Sequence, residues 1–190
     1  MPDRSDTELR DEPEKPKILT SDLVYKGSVW DVRAETFEYN GKEIARQFVD
    51  HTGAVAVLVM DAEGRVLLIQ QYRHPVRLRD WELPAGLLDI AGEDPLVAAK
   101  RELAEEADLV ATDWSELVSF YSSPGGSNEL IRVYQARDVS PAEITFARFD
   151  EEADIVKRWV PLADVVAAVL DGRLKNSILA IAVLAAHARA

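Results

Sequence analysis

The stretch Gly86-Leu87-Leu88-Asp89-Ile90-Ala91-Gly92-Glu93-Asp94-Pro95-Leu96-Val97-Ala98-Ala99-Lys100-Arg101-Glu102-Leu103-Ala104-Glu105-Glu106-Ala107-Asp108-Leu109 decides how this chain is read. Its second half has the signature of a helix. Asp94 is a good N-cap, and Pro95 suits the first helical position, where no backbone N–H is needed. Leu96, Ala99, Leu103 and Ala107 recur at helical spacing and predict a core-facing stripe. Glu102, Glu105 and Glu106 then project from neighbouring positions on one side. Three such carboxylates suit a solvated face, with Arg101 pairing to Glu105 at i,i+4. Beside a cleft they would instead raise one another's pKa or recruit a hard divalent cation such as Mg²⁺ or Mn²⁺.

Upstream, Ala54–Met60 is a continuous apolar run and predicts a buried strand. Asp61–Gly64 reads as a turn and Val66–Gln71 as the returning strand. Arg73, His74, Arg77 and Arg79 follow in a connection that leads to Trp81-Glu82-Leu83-Pro84-Ala85-Gly86. Further upstream, Asp22–Lys26, Trp30–Phe37 and Glu43–Asp50 read as three short strands with tight turns, a small antiparallel sheet. Residues 1–16 are dense in charge and carry three prolines, the pattern of a flexible tail. Downstream, Trp114–Tyr121, Leu130–Ala136 and Ile155–Val160 read as strands, Phe149–Ala153 as an acidic loop. Pro161–Leu170 and Ser177–Ala188 read as helices, the first ended by Gly172. The last is apolar all round between Ile178 and Ala186, which predicts burial.

Composition narrows the function. The chain has 190 residues, 47% of them apolar and 29% charged, an ordinary globular balance. There are no cysteines, which excludes disulfides, thiolate zinc sites and cysteine nucleophiles. The count of 34 acidic against 22 basic residues gives a net charge of −12 and argues against bulk binding of nucleic acid or anionic membrane. The longest continuous apolar run, Ile178 to Ala186, is nine residues, about half of a membrane span. A cytoplasmic protein is the expectation.

Read as a pattern, the opening stretch is Gly86, six residues, Glu93, seven residues, then Arg101-Glu102-Leu103-Ala104-Glu105-Glu106-Ala107-Asp108-Leu109. This resembles the Nudix box: Gly, five residues, Glu, seven residues, Arg-Glu-apolar-any-Glu-Glu-any-Gly-apolar. Two positions depart from it. The loop before Glu93 has one extra residue, and Asp108 stands where the family has glycine. That position closes the helix in a left-handed conformation, which Asp adopts at a cost of roughly 1 kcal/mol. Beyond the box, Tyr121-Ser122-Ser123-Pro124-Gly125-Gly126-Ser127-Asn128-Glu129 resembles the proline marker of the ADP-ribose pyrophosphatase subfamily; a plain Pro-Gly turn is the other reading. Gln71-Tyr72-Arg73, Trp81–Leu88, Asp150–Asp154 and Asn176-Ser177-Ile178 are similar to the same subfamily, nearest to its actinomycete-type members.

The resemblance implies an α+β fold: a Nudix-type α/β/α sandwich with a mixed sheet over 53–190, plus a small N-terminal antiparallel sheet lobe over 17–52. It implies that Glu102, Glu106 and the Ala85 carbonyl ligate metal and that Glu105 reaches it directly or through water. Arg73 matches a phosphate-binding arginine. Arg46 matches one that crosses a homodimer, whose N-terminal lobes are exchanged, to the nucleotide. Glu82 lines the nucleotide pocket or pairs with an arginine. Trp30 stacks on adenine or is a half-buried sheet aromatic. Glu129 touches ribose or belongs to a turn. Glu151 matches the general base, with Glu152 adjacent to it. The implied reaction is Mg²⁺-dependent hydrolysis of ADP-ribose, a small nucleotide sugar, to AMP and ribose 5-phosphate. A pyrophosphatase of ADP-glucose or GDP-mannose keeps this chemistry and changes the substrate. A non-catalytic ADP-ribose sensor would carry an eroded box and a DNA-binding module. Here the box glutamates are present, and Asp171–Ala190 has only Arg173, Lys175 and Arg189 as formal positive charges.

Overall fold

A computed structural model describes residues 9–144, 146 and 154–190. The first eight residues of the expected tail and all of the expected acidic loop Phe149–Ala153, including Glu151 and Glu152, lie outside the described residues. Residues 9–16 carry no helix or strand.

Strand β4 (Ala54–Val59) organises the fold, because all six of its residues are buried. Side chains alternate across a strand, so the run must be covered on both faces. Val55, Val57 and Val59 pack with Ala98, Ala99, Leu103 and Ala107 of helix α1 (Pro95–Ala107). Ala54, Ala56 and Leu58 pack with Val165 and Val166 of α2 (Leu162–Leu170) and with Leu179, Ala182 and Val183 of α3 (Ser177–Ala188). Two helical layers with a sheet between them follow from that alternation. Each fully buried Leu or Val contributes roughly 1.5–3 kcal/mol, so the two clusters carry most of the stability.

The central sheet has the order β7-β4-β9-β8, with β7 (Ala85–Leu87), β8 (Leu109–Tyr121) and β9 (Leu130–Pro141). It is mixed: β4 runs parallel to β9 and antiparallel to β7. A second sheet has the order β10-β5-β6, with β5 (Arg65–Arg73), β6 (Leu78–Glu82) and β10 (Val156–Pro161). A third, β1-β2-β3, joins Lys17–Tyr25, Asp31–Tyr39 and Lys42–Asp50 antiparallel.

Three local expectations change. The chain does turn at Asp61–Gly64, with the Asp61 carboxylate accepting from the Glu63 and Arg65 N–H groups. But β5 does not pair with β4 beyond one bridge, Met60 to Val66. Both edges of β4 are already taken by β7 and β9, so β5 pairs with β6 and β10 instead. The basic connection after Arg73 is in part a strand, β6, because Leu78–Glu82 returns along β5. The long strands β8 and β9 extend well beyond their expected limits.

Helix α1 is closed at both ends as its sequence requires. The Asp94 carboxylate accepts from the N–H groups of Leu96 and Val97 at 2.9 and 3.4 Å. Asp108 takes the left-handed conformation, φ 58° and ψ 36°, and its N–H donates to the Ala104 carbonyl. Lys157 Nζ donates to Asp108 Oδ2 at 2.6 Å and to the Ala107 carbonyl at 3.0 Å. That lysine offsets part of the left-handed cost and satisfies a helix-end carbonyl. The extra residue before Glu93 is absorbed in a turn, where the Glu93 N–H donates to the Ile90 carbonyl and Gly92 has φ 79°.

Candidate active site

Strand β7 lies against α1, and two contacts at its first residues fix the spacing. The Ala85 N–H donates to Glu106 Oε2 at 2.9 Å. A Cβ on Gly86 would land on the Glu102 carboxylate, so only glycine leaves room for that side chain. Glu106 is 4% exposed, one of three buried polar or charged side chains among the described residues. Ala85, Gly86, Glu102 and Glu106 line a cavity of about 520 Å³ together with Arg73 and Glu129.

Arg101 balances the carboxylates. Its guanidinium donates to both oxygens of Glu93 at 3.2 and 3.1 Å, to Glu102 at 2.6 Å and to Glu105 at 3.1 Å. The hydrogen bonds Arg101 donates to Glu93, followed by the fields of Glu102 and Glu105, hold Arg101 charged far above the neutral range. The expected Arg101–Glu105 pair is therefore present as one arm of a four-residue cluster. Among the described residues the carboxylates do not converge as a ready three-ligand cage. Glu102 and Glu105 face Arg101, and Glu106 faces the Ala85 N–H. The donor set is all oxygen, and four glutamates stand against one arginine, which suits a hard divalent cation.

Arg73 is held by Glu82 in a bidentate pair, with Nε and Nη2 each 2.7 Å from a carboxylate oxygen. Glu82 is 4% exposed, and the pair raises the pKa of Arg73. Of the two readings of Glu82, the ion pair to an arginine is the one observed, and it aims a fixed positive charge into the cavity. Gln71, also buried, donates to Glu82 Oε2 at 3.5 Å. From sequence, Gln71 stands only within the stretch Gln71-Tyr72-Arg73, with no role of its own; the signal is a polar residue on the buried side of the strand that continues Val66–Ile69.

Other expected residues stand elsewhere. Arg46 lies along a separate groove beside Phe48, Tyr121 and Pro124. Trp30 is 44% exposed and does not line the cavity, although its neighbour Val29 does. Within one chain the structure does not bring Arg46 or Trp30 to the carboxylates. The Pro124 turn is more than a plain reversal. Val49 N–H donates to the Gly126 carbonyl and Asn128 N–H to the Val49 carbonyl, so the turn is stitched to the end of β3.

With this geometry in place, comparison with known proteins is decisive. A model of the NUDIX domain matches residues 50–180. The chain belongs to the Nudix family. It is 42% identical over 176 residues to the ADP-ribose pyrophosphatase of Mycobacterium tuberculosis, covering 90% of this chain and 83% of that protein. It is 38% identical over 128 residues to the ADP-ribose pyrophosphatase of Bacillus subtilis, covering 67% and 69%. A solved ADP compounds hydrolase superposes with a TM-score of 0.76 over 94% of this chain and 95% of that one, at 22% identity, a likeness of fold. The sheet between helices described above is thus the Nudix fold, and the sequence from Gly86 to Leu109 is its box. No helix among the described residues is long and apolar enough to cross a membrane.

The Arg101 cluster generates a prediction. Arg101→Gln removes the guanidinium that Glu93, Glu102 and Glu105 share. In chelator the variant melts several degrees below the native chain, a loss of about 1–3 kcal/mol. Saturating Mg²⁺ then raises its melting temperature more than it raises that of the native Nudix chain, because a cation replaces the lost charge. Equal Mg²⁺ increments in differential scanning fluorimetry would contradict this.

Proposed function

We propose that this Nudix hydrolase cleaves the diphosphate of ADP-ribose to AMP and ribose 5-phosphate. The observation that carries the reading is the single cavity shared by Glu102, Glu106, the Ala85–Gly86 backbone and Arg73. It sets carboxylates suited to a divalent cation opposite a fixed arginine suited to a phosphate. The sequence likeness to two ADP-ribose pyrophosphatases supports the choice of substrate.

Mg²⁺ is the proposed ion, with Mn²⁺ the alternative. The all-oxygen donor set and the space that Gly86 leaves for Glu102 fit such an ion. Glu102, Glu106 and the Ala85 carbonyl would hold it, and Glu105 would reach it directly or through water. When bound it supplies positive charge to the diphosphate and lowers the pKa of water. The rest is the work of side chains. Arg73, kept charged and oriented by Glu82, binds the far phosphate. Glu129 accepts from sugar hydroxyls. Glu151, with Glu152 as its neighbouring alternative, takes a proton as the water oxygen bonds to phosphorus. The bridging P–O bond breaks, and its electron pair stays with the departing phosphate.

The N-terminal sheet, 17–52, is the proposed dimerisation lobe. Ile18, Leu23, Val24, Tyr25, Val29 and Trp30 are each more than 40% exposed, a run of apolar side chains that one chain leaves uncovered. In a homodimer with exchanged lobes, Arg46 and Trp30 of one copy reach the nucleotide held by the other. This accounts for their distance from the cavity in a single chain. The cytoplasmic setting is proposed on composition, since a chain without cysteine suits a reducing compartment.

Two measurements test these proposals. AMP release from ADP-ribose, run beside ADP-glucose and GDP-mannose with Mg²⁺, should favour ADP-ribose. Glu106→Gln keeps the shape and the bond to Ala85 N–H but removes the charge. It should lower kcat by at least ~100-fold. Turnover of another sugar in preference transfers the chemistry to that substrate, and undiminished turnover by the variant removes Glu106 from the site. Light scattering should give the mass of two chains; the mass of one would sink the lobe exchange.

A further inference from the structure

His51 directly follows β3 and stands three positions before the start of β4. Its side chain is 9% exposed, so its ring is held in place. Its Nδ1 accepts from the Gly53 N–H at 3.0 Å. A nitrogen that accepts carries no proton, so the neutral ring bears its hydrogen on Nε2. That Nε2 faces Glu129 Oε1 at 3.6 Å, close enough for electrostatic attraction and one small side-chain rotation from a hydrogen bond. Glu129 is the carboxylate that lines the cavity from the side of the Pro124 turn.

The surroundings hold the histidine rigid. The backbone N–H of His51 donates to Asn128 Oδ1 at 2.8 Å. Asn128 in turn donates to Asp50 Oδ1 at 2.8 Å, and Arg33 donates to Asp50 Oδ2 at 2.6 Å. The partner of Nδ1 is equally fixed. Gly53 has φ 91°, and a Cβ there would meet the Leu130 carbonyl at 3.1 Å. The ring nitrogen Nδ1 is thus committed to the Gly53 N–H, which leaves Nε2 as the nitrogen that lies 3.6 Å from one oxygen of Glu129.

We propose that His51 is a positioning residue that orients Glu129 toward the hydroxyl groups of the sugar attached to the diphosphate. An ionised carboxylate accepts hydrogen bonds only. Drawing one of its oxygens toward His51 presents the other to the cavity, where a sugar hydroxyl can donate to it. His51 does not touch substrate; it sets which way the Glu129 carboxylate faces and so tunes affinity for the sugar. This role rests on the hydrolase reading given above.

The two ring nitrogens can be tested apart. Asn at 51 places a carbonyl near the position of Nδ1 and keeps an acceptor for Gly53, but it has no donor that reaches Glu129. Gln places an amide donor near the position of Nε2 and gives up the Gly53 contact. Steady-state kinetics are run on the native chain, His51→Asn, His51→Gln and Glu129→Gln, with whichever nucleotide sugar the native chain hydrolyses best. His51→Asn should raise KM on the order of fivefold, with kcat little changed and the melting temperature near native. His51→Gln should bring KM back toward native while melting lower. Adding His51→Asn to Glu129→Gln should raise KM no further. A native KM in His51→Asn would overturn the proposal, as would KM rising in both variants in step with lost stability. Failure of the native chain to hydrolyse any nucleotide sugar would overturn the hydrolase reading instead, and is seen before any variant is compared.

Discussion

The close approach of Ala85–Gly86 to helix α1 is the constraint on which the site depends. It lets the Glu102 carboxylate stand where a Cβ on residue 86 would be and spends the Ala85 N–H on Glu106. Everything that makes the approach possible lies in the core beneath. Ala98, Ala99 and Ala107 are small and buried, and Leu103 fills the gap against Val55, Val57 and Val59. Small residues let the helix sit low on the sheet, and the closeness places two glutamates over the backbone of β7. Folding and chemistry meet in the same few contacts, since the stripe that buries α1 also sets the height of its acidic face.

Charge follows the same economy. A chain of net charge −12 that handles a diphosphate has to keep its few useful cations from being neutralised or misplaced. Arg73 is held by one buried glutamate at one edge of its guanidinium, which fixes its direction without removing its charge from the cavity. Arg101 is engaged by Glu93, Glu102 and Glu105, and serves as a resident counter-charge for a helix that would otherwise repel itself. The two arginines are alike in sequence and opposite in use.

The box region was legible in the sequence because its signals are local. The Asp94 cap, the Pro95 start, the apolar stripe and the left-handed closure at Asp108 all depend on residues within a few positions. The lengthened loop also resolved locally, through Gly92, and left Glu93 on Arg101. What could not be read is what depends on distant partners. Lys157 steadies Asp108 from 49 residues away, and Asn128 closes on Asp50 across 78. The split of β4 and β5 into different sheets follows from which strands claim the edges of β4, which local pattern does not encode. His51 is not legible for the same reason: it matters through a carboxylate 78 residues along the chain. Arg46 and Trp30 were named from resemblance, and one chain alone does not bring them to the cavity.

The account stands most directly on the claim that Gly86 exists to seat the Glu102 carboxylate in a cation site. Gly86→Ala tests it without touching a charged group. The added methyl meets the end of a flexible glutamate rather than backbone, so the fold has room to accommodate it. Titration with Mn²⁺, following the free ion by electron paramagnetic resonance, should show affinity reduced at least ~10-fold while the melting temperature in chelator stays near native. Native Mn²⁺ affinity in a folded Gly86→Ala chain would contradict the account.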